Sequence, residues 1–258
     1  MSSLIFITGA SSGIGQAMAL RFHQAGYALA LVARRVSEVE TWATAHGINI
    51  NSYHIYSADV SDVNSICAAA SACLQRQGVP DVVIACAGIS VGVDGADRQD
   101  LDVIARTFAT NNIGLAATFQ PFIGPMLTRG SGKLVGIASV SGIRGLPGHG
   151  AYCASKAAVI SYCESLRGDL RNSGVQVVTI APGYIATPLT AKNSYGMPFL
   201  MQPQDFAERA LRTIESGVSY RVIPWQMGAV AKLLRILPNW AFDRLLAGRP
   251  KKRRQSEM

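Results

Sequence analysis

Seven short apolar runs punctuate this chain of 258 residues, at 4–8, 28–32, 53–58, 82–86, 133–138, 175–181 and 220–224. Between them lie stretches with helical periodicity. Nothing else in the sequence narrows the fold as far. Runs that are apolar throughout suit strands covered on both faces, and alternation with helices supplies that cover. Right-handed crossovers then give an α/β, Rossmann-type, doubly wound and mostly parallel seven-stranded sheet with helices on both faces. Helices are expected at 13–25, 36–46, 63–77, 101–119, 152–172 and 203–216, the central one ending near Pro121. No repeat, low-complexity segment or interdomain linker is apparent. The simplest parse is one domain over 1–248, including amphipathic helical stretches within 226–247 split by Pro238. A basic tail, 249–258, follows and reads as disordered.

Composition excludes several classes. Charged residues are only 16% of the chain and hydrophobic ones 49%, which argues against a disordered or coiled-coil protein. Five cysteines without a CxxC pair suggest neither a disulfide framework nor a zinc ribbon, so a reducing, cytoplasmic setting is expected. The four histidines show no metal-binding spacing, and no metal site is expected. The first residues lack a basic n-region, and no run of 18 apolar residues occurs, so neither a signal peptide nor a spanning helix is expected. The net charge is +8, and half of it comes from Arg249, Lys251, Lys252, Arg253 and Arg254 against Glu257. Without an aromatic-basic platform, nucleic-acid binding is not expected.

Thr8-Gly9-Ala10-Ser11-Ser12-Gly13-Ile14-Gly15 lies between the first strand and the first helix. Gly9 permits the tight turn, Gly13 lets backbone approach a pyrophosphate, and Gly15 lets helix and strand pack closely. The phosphates would sit on free N–H groups at the helix N-terminus. The alternative is a plain glycine turn. Past the second strand, an NAD-selective site places an acid that accepts from the ribose 2′-hydroxyl. Here the residues are Ala33-Arg34-Arg35, and the first acid is Glu38. Two arginines suit a 2′-phosphate, so NADP(H) is expected over NAD(H), unless both are ordinary surface charges.

Tyr152 and Lys156 stand one turn apart on an expected helix, so phenol and ammonium share a face. A nearby cation favours the phenolate, which fits the tyrosine for proton transfer. Thirteen residues earlier, Ser139 ends the fifth strand, where doubly wound sheets bind ligands, and its hydroxyl can stabilise charge developing on a carbonyl oxygen. Ser141 is the rival serine. Asn111 or Asn112, in mid-helix, also invites a functional reading.

These motifs, in this order, resemble the short-chain dehydrogenase/reductase family in its compact single-domain branch, over about residues 3–225. The resemblance implies the following roles. Ser11, Ser12, Ile14, Val60 and Ile185 line the cofactor site with the three glycines. Asp59 contacts the adenine, and Pro182, Gly183 and Thr187 hold the nicotinamide carboxamide. Asn111, Ser139, Tyr152 and Lys156 form a catalytic tetrad. Tyr152 exchanges the proton, Ser139 polarises the carbonyl, and Lys156 acidifies the tyrosine and holds the ribose. Asn111 supports a water. Family habit further implies a homodimer or homotetramer. The chain departs from the family at Ala85-Cys86-Ala87-Gly88, where an Asn-Asn-Ala-Gly motif is usual. Ala87 and Gly88 still allow the cofactor to approach, but Cys86 replaces an amide that ties strands together.

The segment 188–202 is expected to close over substrate. Tyr195, Met197, Phe199, Leu200 and Met201 would either line a pocket for a bulky, hydrophobic ketone or secondary alcohol, with Ser141 nearby, or pack the segment against its own domain. His149 either lines that pocket or sits in a solvated loop. The C-terminal helices and basic run suggest either peripheral contact with the inner face of a membrane or cover for a subunit interface. A catalytically silent cofactor-binding scaffold is the alternative function.

Overall fold

The computed structural model describes residues 3–191, 193, 195–248, 250 and 252–255. Seven strands, β1 (Leu4–Thr8), β2 (Ala28–Ala33), β3 (Tyr53–Ser57), β4 (Val82–Ala85), β5 (Gly132–Ile137), β6 (Val175–Pro182) and β7 (Tyr220–Ile223), form one sheet. Their order is β3-β2-β1-β4-β5-β6-β7, and every neighbouring pair is parallel. The helices are α1 (Gly13–Gln24), α2 (Val36–Ala45), α3 (Val63–Arg76), α4 (Asp100–Phe108), α5 (Gly114–Arg129), α6 (Gly150–Asp169), the short α7 (Pro188–Ala191), α8 (Pro203–Glu215), α9 (Trp225–Ile236) and α10 (Asn239–Leu246). β1 sends the chain to β2 on one side and receives β4 on the other. That reversal opens a crevice beyond the carboxyl ends of β1 and β4.

Strand alternation divides the core in two. Phe6, Val83, Leu134 and Val177 face Ile66, Phe119, Phe122, Met126 and Val159 of α3, α5 and α6. Ile5, Ile7, Leu31, Val135 and Ile180 face Met18, Phe22, Trp42, Phe206 and Leu211 of α1, α2 and α8. Burial on both faces explains why β1, β2 and β4 carry no polar alternation, while the edge strands β3 and β7 are less buried and admit His54 and Arg221.

Two expectations fail. The central helix does not end near Pro121. It runs from Asp100 through a five-residue π-helical turn (Ala109–Ile113) and continues to Arg129 past both Pro121 and Pro125. Each proline forfeits one backbone hydrogen bond. Leu115, Phe119, Phe122 and Met126 recur on one face and are buried in the core, and that burial holds the helix together.

Nor does the basic tail hang free where it is described. Gly92 N–H donates to Arg253 O at 3.0 Å, and Gly92 and Arg254 form a parallel bridge. Arg254 pairs with Asp97 and, at 2.8 Å, with Asp100, and Arg106 bonds Gln255. Residues 252–255 therefore form a strap across the segment between β4 and α4. Arg249, Lys251 and Glu257 lie outside the described residues. No helix among the described residues is long and apolar enough to cross a membrane.

Candidate active site

A cleft of about 350 Å³ occupies the crevice beyond β1 and β4. The residues assigned to a cofactor from sequence all line it: Gly9, Ser11, Ser12, Gly13, Ile14, Gly15, Arg34, Arg35, Asp59, Val60, Ala87, Gly88, Tyr152, Lys156, Pro182, Gly183, Ile185 and Thr187. Gly9 has φ +73°, and a Cβ on Gly15 would come within 2.2 Å of Gly9 O, so the turn and the close approach of α1 both need glycine. No side chain caps the N-terminus of α1, and its first turn carries no acid. Those free N–H groups face the cleft and suit a pyrophosphate.

Arg34 and Arg35 stand at one end, both mostly exposed. Arg35 reaches Ser11 Oγ at 3.4 Å and Glu38 at 3.0 Å; Arg34 reaches Asp59 at 3.4 Å. Hydrogen bonds from Ser61 lead in holding the Asp59 carboxyl below its ordinary value, so it is a fixed anion. Cys86 does not leave β4 untied. Thr8 Oγ1 accepts from the N–H groups of Cys86 (3.1 Å) and Ala87 (3.2 Å), which supplies a link between β1 and β4. Burial pushes the Cys86 thiol up to about 12, so it is neutral and unreactive at physiological pH.

Ser139, Tyr152 and Lys156 converge on the cleft wall. Lys156 is buried; its Nζ donates to Ile137 O at 2.8 Å and lies 5.8 Å from the Tyr152 ring centroid. Burial lowers the ammonium to about 8 and raises the phenol to about 12, while a hydrogen bond with Ser139 pulls the phenol back. Ser139 Oγ also accepts from Ser141 N–H at 3.1 Å, which fixes its rotamer.

Asn111, rather than Asn112, faces inward, and the π-helical turn aims it. Its amide accepts from Ile89 N–H (2.8 Å) and donates to Ile89 O (3.0 Å) and Ser155 Oγ (2.9 Å). Asn111 thus braces the loop after β4 against α6. A Cβ on Gly88 would lie 3.5 Å from Lys156 Nζ, so that loop passes directly over the lysine. Asn112 donates to Ser155 O. Neither asparagine lines the cleft; of this turn only Thr110 does, so Asn111 acts from behind the wall.

A second, larger chamber of about 890 Å³ adjoins the cleft. The two share a seam: Ser139 and Gly183 line one, while Val140 and Tyr184 line the other. Ser141, His149, Tyr195 and Met197 line the chamber. Phe199 does not. It sits at a left-handed turn (φ +55°) with half of its surface exposed, and Leu200 is exposed beside it. Met201 pairs with Ile185 and is buried in the core beneath α8. His149 is buried; its Nδ1 contacts Pro147 O at 3.0 Å and its Nε2 contacts the Tyr195 hydroxyl at 3.1 Å. A carbonyl can only accept, so Nδ1 carries a proton, and burial leads in holding the imidazole below its ordinary value, which favours the neutral ring.

Sequence reasoning missed the third of the chamber wall that the C-terminal helices supply. Met227, Val230, Ala231 and Leu234 of α9 and Leu245 and Leu246 of α10 supply it. Arg144 fastens these helices: it donates to Leu234 O, to Leu237 O at 2.8 Å and to Asn239 Oδ1 at 3.1 Å, with its guanidinium 3.8 Å from the Phe242 ring centroid. The amphipathic pattern of 226–247 was the available signal.

Residues 3–197 match the family model described as short chain dehydrogenase. The chain is 36% identical over 240 residues to an uncharacterized oxidoreductase of Myxococcus xanthus, covering 92% of this chain and 93% of that one. It superposes on an alcohol dehydrogenase from the archaeon Thermococcus sibiricus complexed with 5-hydroxy-NADP, with a TM-score of 0.75, 26% identity and coverage of 86% and 95%. A 3-ketoacyl-(acyl-carrier-protein) reductase from Brucella melitensis complexed with NADH gives a TM-score of 0.77, 25% identity and coverage of 86% and 96%.

Proposed function

This chain belongs to the short-chain dehydrogenase/reductase family as an NAD(P)-dependent oxidoreductase, and on that premise we propose that it reduces the carbonyl of a bulky, apolar ketone or aldehyde to the alcohol, with NADPH preferred. The observation that carries the reading is the seam itself. Ser139, Tyr152 and Lys156 all line the cofactor cleft, and directly after Ser139 the chain enters the wall of the apolar chamber at Val140.

A bound nicotinamide dinucleotide supplies the hydride. The free N–H groups of α1 would hold its pyrophosphate, Arg34 and Arg35 a 2′-phosphate, and Pro182, Gly183 and Thr187 its carboxamide. Tyr152 donates its proton to the carbonyl oxygen. Ser139 donates a hydrogen bond to the same oxygen and stabilises the charge that develops there. Lys156 makes the phenol more acidic in the reacting complex. Asn111 keeps the loop after β4 in register and supports the water that returns the proton.

The test is NADPH oxidation against aliphatic, aromatic, steroid-like and fatty β-keto carbonyls. Tyr152→Phe should abolish turnover, roughly 10²–10⁴-fold or more, while NADPH still binds. Undiminished turnover in that variant overturns the mechanism.

A second reading concerns location. Trp225, Ile236 and Trp240 are each more than two-thirds exposed on α9 and α10, beside Lys232, Arg235 and Arg244. Aromatic and basic side chains on one amphipathic surface suit an anionic lipid surface, and the inner sides of the same helices line the chamber. A second copy fits less well, because a two-fold interface across this face sets like charges against each other.

A further inference from the structure

The strap brings one side chain back toward the reaction site. Its anchorage is elsewhere: Arg253 contributes its carbonyl to Gly92, and Arg254 occupies Asp97 and the buried Asp100. The strap passes so near Gly92 that a Cβ there would lie 2.1 Å from Lys252 O. Docked in this way, Lys252 points its Nζ at Ser90 Oγ, 2.9 Å away. Ser90 follows Ile89, the residue gripped by Asn111, two positions past the glycine that covers Lys156. The charge of Lys252 also reaches His149 in the chamber wall, where it adds to burial in lowering that imidazole.

Lys252 is half-buried, and among the described residues it has no carboxylate within 4 Å. Its one described partner is a neutral hydroxyl, and the adjacent acids are taken by Arg254. A desolvated ammonium without a counter-charge is unfavourable unless an anion completes it. Lys252 and Ser90 line neither cavity themselves but follow residues that do, Pro250 of the chamber and Ile89 of the cleft. Arg144 lines the chamber, but its guanidinium is turned to the Leu234 and Leu237 carbonyls, Asn239 and the Phe242 ring. The neutral His149 offers no charge. Since Lys252 donates to Ser90, the Ser90 hydroxyl keeps its own proton for an acceptor.

We propose that Lys252 and Ser90 form an anion subsite at the rim of the substrate chamber, so that the substrate is an amphiphile: an apolar body in the chamber, a carbonyl at Tyr152, and a carboxylate or phosphate held by Lys252. The proposal rests on the carbonyl-reductase reading and adds the substrate's charge to it.

The probes are matched medium-chain carbonyl compounds ending in a carboxylate, a phosphate monoester or a methyl ester. Wild-type enzyme should prefer an anionic probe over the ester. Lys252→Met should raise KM for that anion about 10- to 100-fold, leaving the ester within about threefold and NADPH affinity unchanged. Lys252→Arg should retain most of the selectivity, and the preferred anion identifies its chemistry. Arg254→Ala, which releases the strap without touching Lys252, should lose the same selectivity. Calorimetric binding of the same probes to Tyr152→Phe needs no turnover. Absent turnover with intact, Lys252-dependent anion binding would sink the reductase reading and leave the subsite standing. Equal affinity for acid and ester, or equal losses on both in Lys252→Met, would overturn the subsite.

Discussion

At Lys156 and Tyr152, burial disfavours the charged form of each group. The ammonium is lowered to about 8 and the phenol raised to about 12, so near pH 7 the site holds a protonated phenol beside a cation. That is the arrangement reduction needs. The reduction rate is expected to hold up to about pH 8 and fall as Lys156 loses its charge above it, which a kcat profile checks. Stability carries the same signature with the opposite slope. Between about 8 and the ordinary lysine value of 10.5, the unfolded chain holds the proton that native Lys156 has lost, so stability rises with pH in that window. Tyr152 begins to oppose it above 10. From pH 8 to 10, cofactor-free wild type should gain about 2–3 kcal/mol relative to Lys156→Met, read from urea midpoints at each pH. Equal slopes in the two proteins would remove the buried ammonium from the account. The arginines are tested separately. Arg34→Ala with Arg35→Ala should weaken NADPH at least tenfold more than NADH; equal losses would leave them as surface charges. The cleft residues were legible because each has a chemical reason tied to a fixed spacing: glycines at a turn, tyrosine and lysine one helical turn apart, a serine at a strand end. Thr8 was not, since its hydroxyl serves β4 through a contact 78 residues distant.

Among the elements, the strands were readable nearly to the residue and the central helix was not. The prolines at 121 and 125 are local signals for termination, whereas the face that overrides them is defined by a sheet whose strands lie elsewhere in the sequence. The π-helical turn was equally hidden. It inserts an i→i−5 bond from Gly114 to Ala109, which presents Asn111 to the loop after β4. The same limit applied to α9 and α10, whose amphipathic pattern was plain but whose inner face has meaning only against Arg144 and the 188–202 segment. Arg144 is therefore the element-scale test. Arg144→Met leaves the Leu234 and Leu237 carbonyls without their donor and removes the cation over Phe242. Expected are a loss of about 2–3 kcal/mol and faster proteolysis near 237–239. KM should rise for bulky apolar carbonyls but stay constant for small ones. If bulky and small substrates lose equally, α9 and α10 are cover for the fold rather than a chamber wall.

For the molecule as a whole, the C-terminal quarter decides more than its sequence disclosed. A run of basic residues reads as solvated because charge is local, while its partners Gly92, Asp97 and Asp100 lie more than 150 residues earlier in the chain. Once Arg254 is paired and Lys252 turned inward, the cations left facing outward include Lys232, Arg235 and Arg244 on the α9–α10 surface, against Asp243. The membrane reading then depends on that surface. Each cation near an anionic bilayer contributes about 1 kcal/mol, and the exposed Trp225, Ile236 and Trp240 add apolar insertion. The intact protein should sediment with vesicles containing anionic phosphatidylglycerol and far less with neutral phosphatidylcholine. Raising salt from 0.05 to 0.5 M should release most of it, because screening shortens the reach of the cations. Replacing Trp225, Ile236 and Trp240 with serine should abolish sedimentation and leave turnover of a water-soluble carbonyl unchanged, since none of the three lines the cleft or the chamber. If instead the triple variant changes mass by light scattering and never met vesicles, the face is a subunit contact. An amphiphilic substrate would then have to reach the chamber from water.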